Sequence, residues 1–386
     1  MLNLYNPHPA SFDSFPILYH KLLERVERGY VRKVKKNSLE LFTYTPLCTF
    51  KKEWDKYTII ARGIILSTEE QRIVAYTFPK FFNYLEIGVP VPDLEFSVDE
   101  KLDGSLIILF CYNDVWEVAT KGSFESSQAL WARKWIDLNI DKSLLIPSWT
   151  YLFEAIYPEN QIVVNYSGFS GLVLLSMYDG LGYERYDNVK QMSHLLNVRY
   201  PKRYEYNSLE DILNICKNSD KNLEGFVVRF NTGYRLKIKS AEYLRVHRII
   251  NRVTPLGIWE VMLAGDDLEN IYKELPEEFQ KDFRIIVDIY NMKIYDFVEY
   301  LTLFNRKTRH LSNKELGLLL KNEYLLDKKL SYIFYFRDGS FWTRFNNMGS
   351  AFRRGIFTQF RPTGNDLEGY IPSSSLNMFL DETAIN

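Results

Sequence analysis

The chain has 386 residues, 46% of them hydrophobic and 25% charged, enough for two domains with separate cores. Its formal net charge is -1 with a pI near 6.6, so no global field draws it onto a polyanion, and any such site is a local patch. Three scattered cysteines (Cys48, Cys111, Cys216) without a C-x-x-C pair argue for reduced thiols and against structural zinc. No basic-then-apolar leader opens the sequence, and the longest apolar runs are far short of a membrane span, so we expect a soluble protein without a membrane partner.

In chain order, β-branched and aromatic runs between turn residues predict strands over Thr58–Leu66, Leu106–Tyr112, Trp149–Ile156, Gly171–Met177 and Phe226–Phe230. Leu130, Trp131, Lys134, Trp135 and Leu138 recur at helical spacing and predict a helix over Ser126–Leu138. After about Pro255 the texture turns to Leu, Glu, Lys and Tyr with few turn signals. Residues 256–329 read as helical, with a weaker aromatic stretch at Ser331–Phe336 and a looser Phe352–Pro372. The fold class is α+β, divided into residues 1–252 and a mostly helical 253–386.

The most informative stretch is Glu100-Lys101-Leu102-Asp103-Gly104-Ser105, a lysine two before an Asp-Gly turn that enters an apolar strand. Alone it reads as a surface hairpin. Five further segments share its chemical logic: Ala61-Arg62-Gly63, Pro79-Lys80-Phe81-Phe82-Asn83, Phe153-Glu154-Ala155, Leu223-Glu224-Gly225 and Leu236-Lys237-Ile238-Lys239-Ser240. Each sets charge in or beside an apolar strand, where burial is costly without a partner or ligand. Lys237 and Lys239, two apart on a strand, put both ammonium groups on one face, best explained by a polyanion between them. Glu154 and Glu224 offer hard oxygens to a divalent cation such as Mg²⁺.

The ordered set ARG, PKFFN, KxDGS, FEA, LEGFVV and LKIKS resembles the phage RNA ligase 1 family (T-even type), within the covalent nucleotidyltransferases. The resemblance spans residues 58–247 and is weak over the rest of the chain. It implies an ATP-grasp-like nucleotidyltransferase domain of antiparallel sheets with flanking helices, followed by the helical C-terminal domain. It also implies an ATP-dependent ligase joining 5′-phosphate and 3′-hydroxyl ends of single-stranded RNA, with cleaved tRNA as one candidate. By this resemblance Lys101 is the lysine that becomes adenylated, with Glu100 beside it. Glu154 and Glu224 organise metal (Mg²⁺ or Mn²⁺) and nucleotide. Lys237 and Lys239 contact phosphates, and Arg62 and Lys80 are the upstream basic residues. Phe82, Lys121 and Tyr243 fall on further ATP-binding positions, and Asp103 on a metal-bound water or the incoming hydroxyl. Leu102 stands where the T-even sequence has an acid. Cytoplasmic localisation follows, the host's if the chain is phage-encoded.

A free lysine has a pKa of about 10.4, so only about one in a thousand is neutral at pH 7.5. Burial and neighbouring cations are expected to disfavour the ammonium of Lys101. Three basic stretches could meet RNA backbone or be solvated faces: residues 30–36, Arg245 to Arg252, and Arg353-Arg354 with Arg361. A capping guanylyltransferase or a DNA ligase would use the same lysine chemistry, but usually with a C-terminal barrel of short strands, which the helical texture argues against. A non-catalytic RNA-binding relic is disfavoured by the intact set of lysines and glutamates. The sequence has no G-x-x-x-x-G-K loop, so end-healing kinase and phosphatase work is expected from a separate protein.

Overall fold

The computed structural model describes residues 5–373 and 376, apart from 87, 207 and 221. The chain forms two compact units, one running to Arg245 and one from Val246 to Leu376. Thirteen strands are named in the first unit. They are β1 (Val31–Lys36), β2 (Leu39–Tyr44), β3 (Arg62–Ser67), β4 (Arg72–Ala75), β5 (Phe82–Asn83), β6 (Phe96–Lys101) and β7 (Ser105–Tyr112), then β8 (Val115–Thr120), β9 (Thr150–Ile156), β10 (Gly171–Tyr178), β11 (Arg203–Tyr204), β12 (Gly225–Phe230) and β13 (Arg235–Lys239). They build a meander β1-β2-β3-β4, a second sheet β10-β9-β7-β8 and a third sheet β11-β6-β12-β13-β5.

The apolar alternation seen in the sequence sets the layers. Ile108, Phe110 and Leu152 of the second sheet pack with Leu41 and Ile65 of the first. Ile107, Leu109 and Phe153, which point the other way, pack with Ala129, Ala132 and Ile136 of a helix. That helix is Ser127–Asn139, capped by Ser126, whose hydroxyl accepts from Ala129 N–H, so it forms where the periodicity predicted it. Antiparallel sheets with helices, followed by a helical unit, match the α+β expectation.

One predicted strand is divided. Residues 56–60 form a short helix, because Asp55 and Thr58 make a reciprocal capping box, and the strand begins only at Arg62. The second unit is helical through Pro255–Ala264, Leu268–Glu274, Glu277–Thr308 and Asn313–Glu323, and no strand is named among its described residues. Thr254 caps the first of these helices with Pro255 at its first position, and Gly265 ends it in the left-handed region. The aromatic stretch near 331–336 is also helical, as Ile333–Arg337, and so is Ala351–Thr358 within the region expected to be loose. Arg353, read from the sequence as either an RNA contact or a solvated cation, is buried instead. It donates to the carbonyls of Met262, Leu263 and Phe345, which holds those turns together.

Two glycines bring the strands of the first unit close enough to form a site. A Cβ at Gly104 would stand 2.4 Å from the Ala155 carbonyl oxygen, and one at Gly225, where φ is +143°, would stand 2.0 Å from that of Ile238. Gly225→Ala is therefore expected to lower the unfolding free energy by about 2–4 kcal/mol, or to part β12 from β13 locally. Urea denaturation beside wild type measures the first outcome, and amide exchange across Phe226–Phe230 the second.

Candidate active site

The register of the third sheet generates the cationic face. Lys101 on β6 and Lys239 on β13 lie on either side of Gly225, and Asp99 and Lys237 lie on either side of Val227. Residues opposite one another share a face, so Lys101, Lys239, Lys237 and Asp99 emerge together, as the two-residue spacing predicted. Gly225 has no side chain to separate its two lysines. The Glu224 carboxylate instead spans them, one oxygen 2.7 Å from Lys101 Nζ and the other 3.1 Å from Lys239 Nζ.

Burial works against the ammonium of Lys101, but the Glu224 carboxylate, with Glu154 and Asp103 nearby, outweighs it and leaves the pKa raised. This reverses the expected depression, because the nearest charge is an anion. Burial would raise the Glu224 pKa, but Lys101 and Lys239 hold it below the usual carboxylate value. Lys237 has no carboxylate partner among the described residues. Burial, then Lys80, Lys239 and Lys101, push its pKa well below the ordinary lysine value.

A cavity of about 460 Å³ opens over this face. Glu100, Lys101, Leu102, Gly104, Glu154, Arg62 and Lys121 line it, together with Phe78, Phe81, Leu106, Leu175 and Val227. Its mixture of an apolar slot and cationic walls suits a nucleotide, with a flat base in the slot and phosphates against the cations. Arg62 lies over the Phe81 ring, and its Nη1 is buried without a hydrogen-bond partner among the described residues. Tyr178 is buried in the core, and Leu175 and Val227 supply the apolar lining.

Three sequence-predicted residues do other work. Asp103 was expected to hold a metal-bound water or a hydroxyl. Both of its oxygens are occupied: Oδ2 accepts from the Val163 and Val164 N–H groups at 2.9 and 3.0 Å, and Oδ1 accepts from the Tyr243 hydroxyl at 2.9 Å. Burial, then the Glu224 charge, raises its pKa to about 6. Tyr243, expected at ATP, is accordingly buried as the other half of that hydrogen bond. Phe82 is turned toward Lys80, and it is Phe81 that joins the cavity lining. Lys80, also absent from that lining, lies within 5.2–5.6 Å of the ring centres of Tyr44, Trp54 and Phe82.

Sequence reasoning missed Tyr166. Its phenol oxygen accepts the Asp103 N–H at 2.6 Å, so the loop 162–166 and the turn after Lys101 clasp each other from both sides. The only cue in the sequence was its position eleven residues after Ala155 of the FEA segment, which carries no chemical signature.

Among the described residues, no group of three or more His, Cys, Asp or Glu side chains converges on a point. Of the carboxylates at the site, Glu154 and Glu224 suit a cation such as Mg²⁺ that takes one or two protein oxygens and fills the rest of its shell with phosphates and water. No described helix is long and apolar enough to cross a membrane.

The Lys237 pKa gives a stability test. Between the unfolded lysine value and the depressed folded one, the unfolded chain binds a proton that the native chain does not, so stability falls as pH falls through that window. Lys237→Met removes this cost and is expected to stabilise the ligand-free protein at pH 7.5, with the gain shrinking above about pH 10. Urea denaturation at pH 7.5 and 10 checks this, and a variant no more stable than wild type at pH 7.5 contradicts it.

Comparison with known proteins bears on the same residues. An RNA ligase of Rhodothermus phage RM378 is 22% identical over 369 residues, covering 72% of this chain and 82% of the phage protein. A protein of Autographa californica nuclear polyhedrosis virus, provisionally named a bifunctional polynucleotide kinase/RNA ligase, is 27% identical over 249 residues. That match covers 56% of this chain, which spans only 35% of the viral protein. Among solved structures, an archaeal ATP-dependent RNA ligase aligns with 96% of this chain and 98% of its own, at 12% identity and a TM-score of 0.46. The family described as RNA ligase matches residues 60–243, a stretch that holds Lys101, Glu154, Glu224, Lys237 and Lys239. Over that stretch the chain is similar to the RNA ligase family of enzymes.

Proposed function

We propose that this chain is an ATP-dependent RNA ligase that joins 5′-phosphate and 3′-hydroxyl ends of RNA through a lysyl-AMP and then an RNA-adenylate. The observation that carries the reading is Lys101 at the wall of a nucleotide-sized cavity, with Lys239 and Lys237 on the same sheet face and Glu224 and Glu154 beside it. In the resting protein Lys101 is an ammonium paired with Glu224. Glu154 and Glu224 would hold a divalent cation together with the phosphates of ATP, and that cation would supply positive charge to offset both the carboxylates and the phosphate oxygens.

Lys101 loses one proton to solvent, the Nζ lone pair forms a bond to the α-phosphorus of ATP, and the nitrogen releases a second proton to solvent as the phosphoramidate forms. The bond from that phosphorus to the bridging oxygen breaks, and pyrophosphate leaves with the electron pair. Lys237 and Lys239 face the phosphates and stabilise the charge that builds there. Arg62, with its unpartnered Nη1, is an anchor for the nucleotide or for the later RNA steps. AMP then passes to an RNA 5′-phosphate, and a 3′-hydroxyl displaces it to seal the strand.

The 5′-phosphate comes from outside these 386 residues, since they contain no kinase phosphate loop; cleaved tRNA is a suitable substrate. The helical second unit supports this reading over a capping enzyme or DNA ligase, which would bring a barrel of short strands. Incubation with α-labelled ATP and magnesium is expected to label the wild-type chain covalently, and Lys101→Ala not at all. The labelled protein should circularise 5′-phosphorylated single-stranded RNA faster than it seals nicked duplex DNA. Labelling of the Lys101→Ala chain removes the nucleophile, and a preference for nicked DNA removes the substrate.

A further inference from the structure

Four lysines crowd one side of the site, and they are held in two different ways. Lys101 and Lys239 share the Glu224 carboxylate. Lys80 has no carboxylate partner among the described residues, yet it is largely buried, and burial followed by the Arg62 charge draws its pKa down to about 8. What surrounds its Nζ is aromatic: the ring centres of Tyr44 and Trp54 at 5.2 Å and Phe82 at 5.6 Å. Trp54 stands edge-on to both other rings, 5.1 Å from Tyr44 at 86° and 5.5 Å from Phe82 at 79°. The three rings thus form a cage.

The cage is built from separate parts of the chain. Phe82 is fixed by β5 pairing with β13 beside Lys237, and Tyr44 ends β2. Trp54 occupies a tight turn just before the capping box at Asp55. The Lys80 backbone N–H donates to Ile59 O at 2.8 Å, so its main chain is tethered as well. Tyr44 and Trp54 both precede the stretch matched by the RNA ligase family.

The physical point is selectivity of partner. A carboxylate would hold an ammonium strongly but would repel an incoming phosphate. Aromatic faces attract a cation through their quadrupole and carry no net charge, so the N–H donors stay available to a polyanion. We propose that Trp54, with Tyr44 and Phe82, is a positioning residue that cages Lys80 for the pyrophosphate leaving group of the adenylation step. This rests on the ligase reading above and adds to it a residue outside the matched segment. Lys80 acts where the α-phosphorus–oxygen bond breaks and pyrophosphate takes the electron pair. It has no such work in the last step, whose leaving group is AMP.

The test compares Trp54→Leu and Trp54→Phe with wild type in the full chain. Lysyl-AMP formation with labelled ATP, its reversal by added inorganic pyrophosphate, and sealing of chemically pre-adenylated RNA are each measured. Trp54→Leu is expected to slow both pyrophosphate-linked reactions about tenfold and leave pre-adenylated sealing unchanged, while Trp54→Phe, which keeps a π face, stays within about threefold of wild type. In a Lys80→Ala background, Trp54→Leu should change adenylation by less than about twofold, since the two act as one unit. The proposal is overturned if Trp54→Leu adenylates like wild type, or if it slows pre-adenylated sealing in the same proportion. An undiminished effect in the Lys80→Ala background overturns it too. A wild-type chain that takes no label would sink the ligase reading and this inference together, whereas a labelled wild type with an indifferent Trp54→Leu would sink only this one.

Discussion

One carboxylate sets the resting state of the site. Glu224 bridges Lys101 and Lys239 across Gly225, where the absence of a side chain lets two cations of flanking strands be satisfied by a single anion. Unpaired, these ammonium groups would repel one another in a poorly hydrated setting, at a cost of several kcal/mol per buried ion. The pairing keeps the sheet intact without a nucleotide, and it also keeps Lys101 protonated. On the ligase reading proposed above, Lys101 is therefore not stored ready to react. It is held by an anion that a triphosphate with its accompanying cation can displace, so activation depends on substrate.

The turn after Lys101 is fixed by contacts that carry no chemistry of their own. Asp103 accepts two backbone N–H groups and a phenol, and its own N–H is accepted by Tyr166. Gly104 lets this turn lie directly on β9, whose Glu154 faces the same cavity. A lysine side chain has four rotatable bonds and reaches many positions, so precision at Nζ requires its Cα to be immobile. In this arrangement Asp103 acts on the backbone that carries Lys101, which accounts for an acid at this place whose two oxygens both accept hydrogen bonds from the protein.

Much of the site was legible because strand chemistry is local. Period-two spacing put Lys237 and Lys239 on one face, and the carboxylates of the FEA and LEG segments reached the same face. What the sequence concealed were effects of distance along the chain. Glu224 meets a lysine 123 positions away, and that contact reversed the expected pKa of Lys101. Asp103 looked like a ligand because nothing local revealed Val163, Val164 and Tyr243 as its partners. The helix at residues 56–60 was hidden by a β-branched run, where one capping box outweighed propensity. Arg353 read as a surface cation until three carbonyls from two other segments enclosed it.

The contrast between paired and unpaired lysines shows how such a site divides its tasks. A group that must later become neutral, as Lys101 must on the proposed ligase reading, can rest against a carboxylate, because losing that partner and losing its proton belong to the same event. A group that must meet a phosphate as a cation gains nothing from an anion that would compete for the same donors. Lys80 is accordingly surrounded by rings, and Lys237 is left beside other lysines with its charge suppressed until an anion arrives. The energy of crowding cations without counter-charges is thereby stored in the free protein. It is released by a ligand carrying several negative charges in a row, so the same electrostatics that weakens the empty fold favours a triphosphate over a monophosphate.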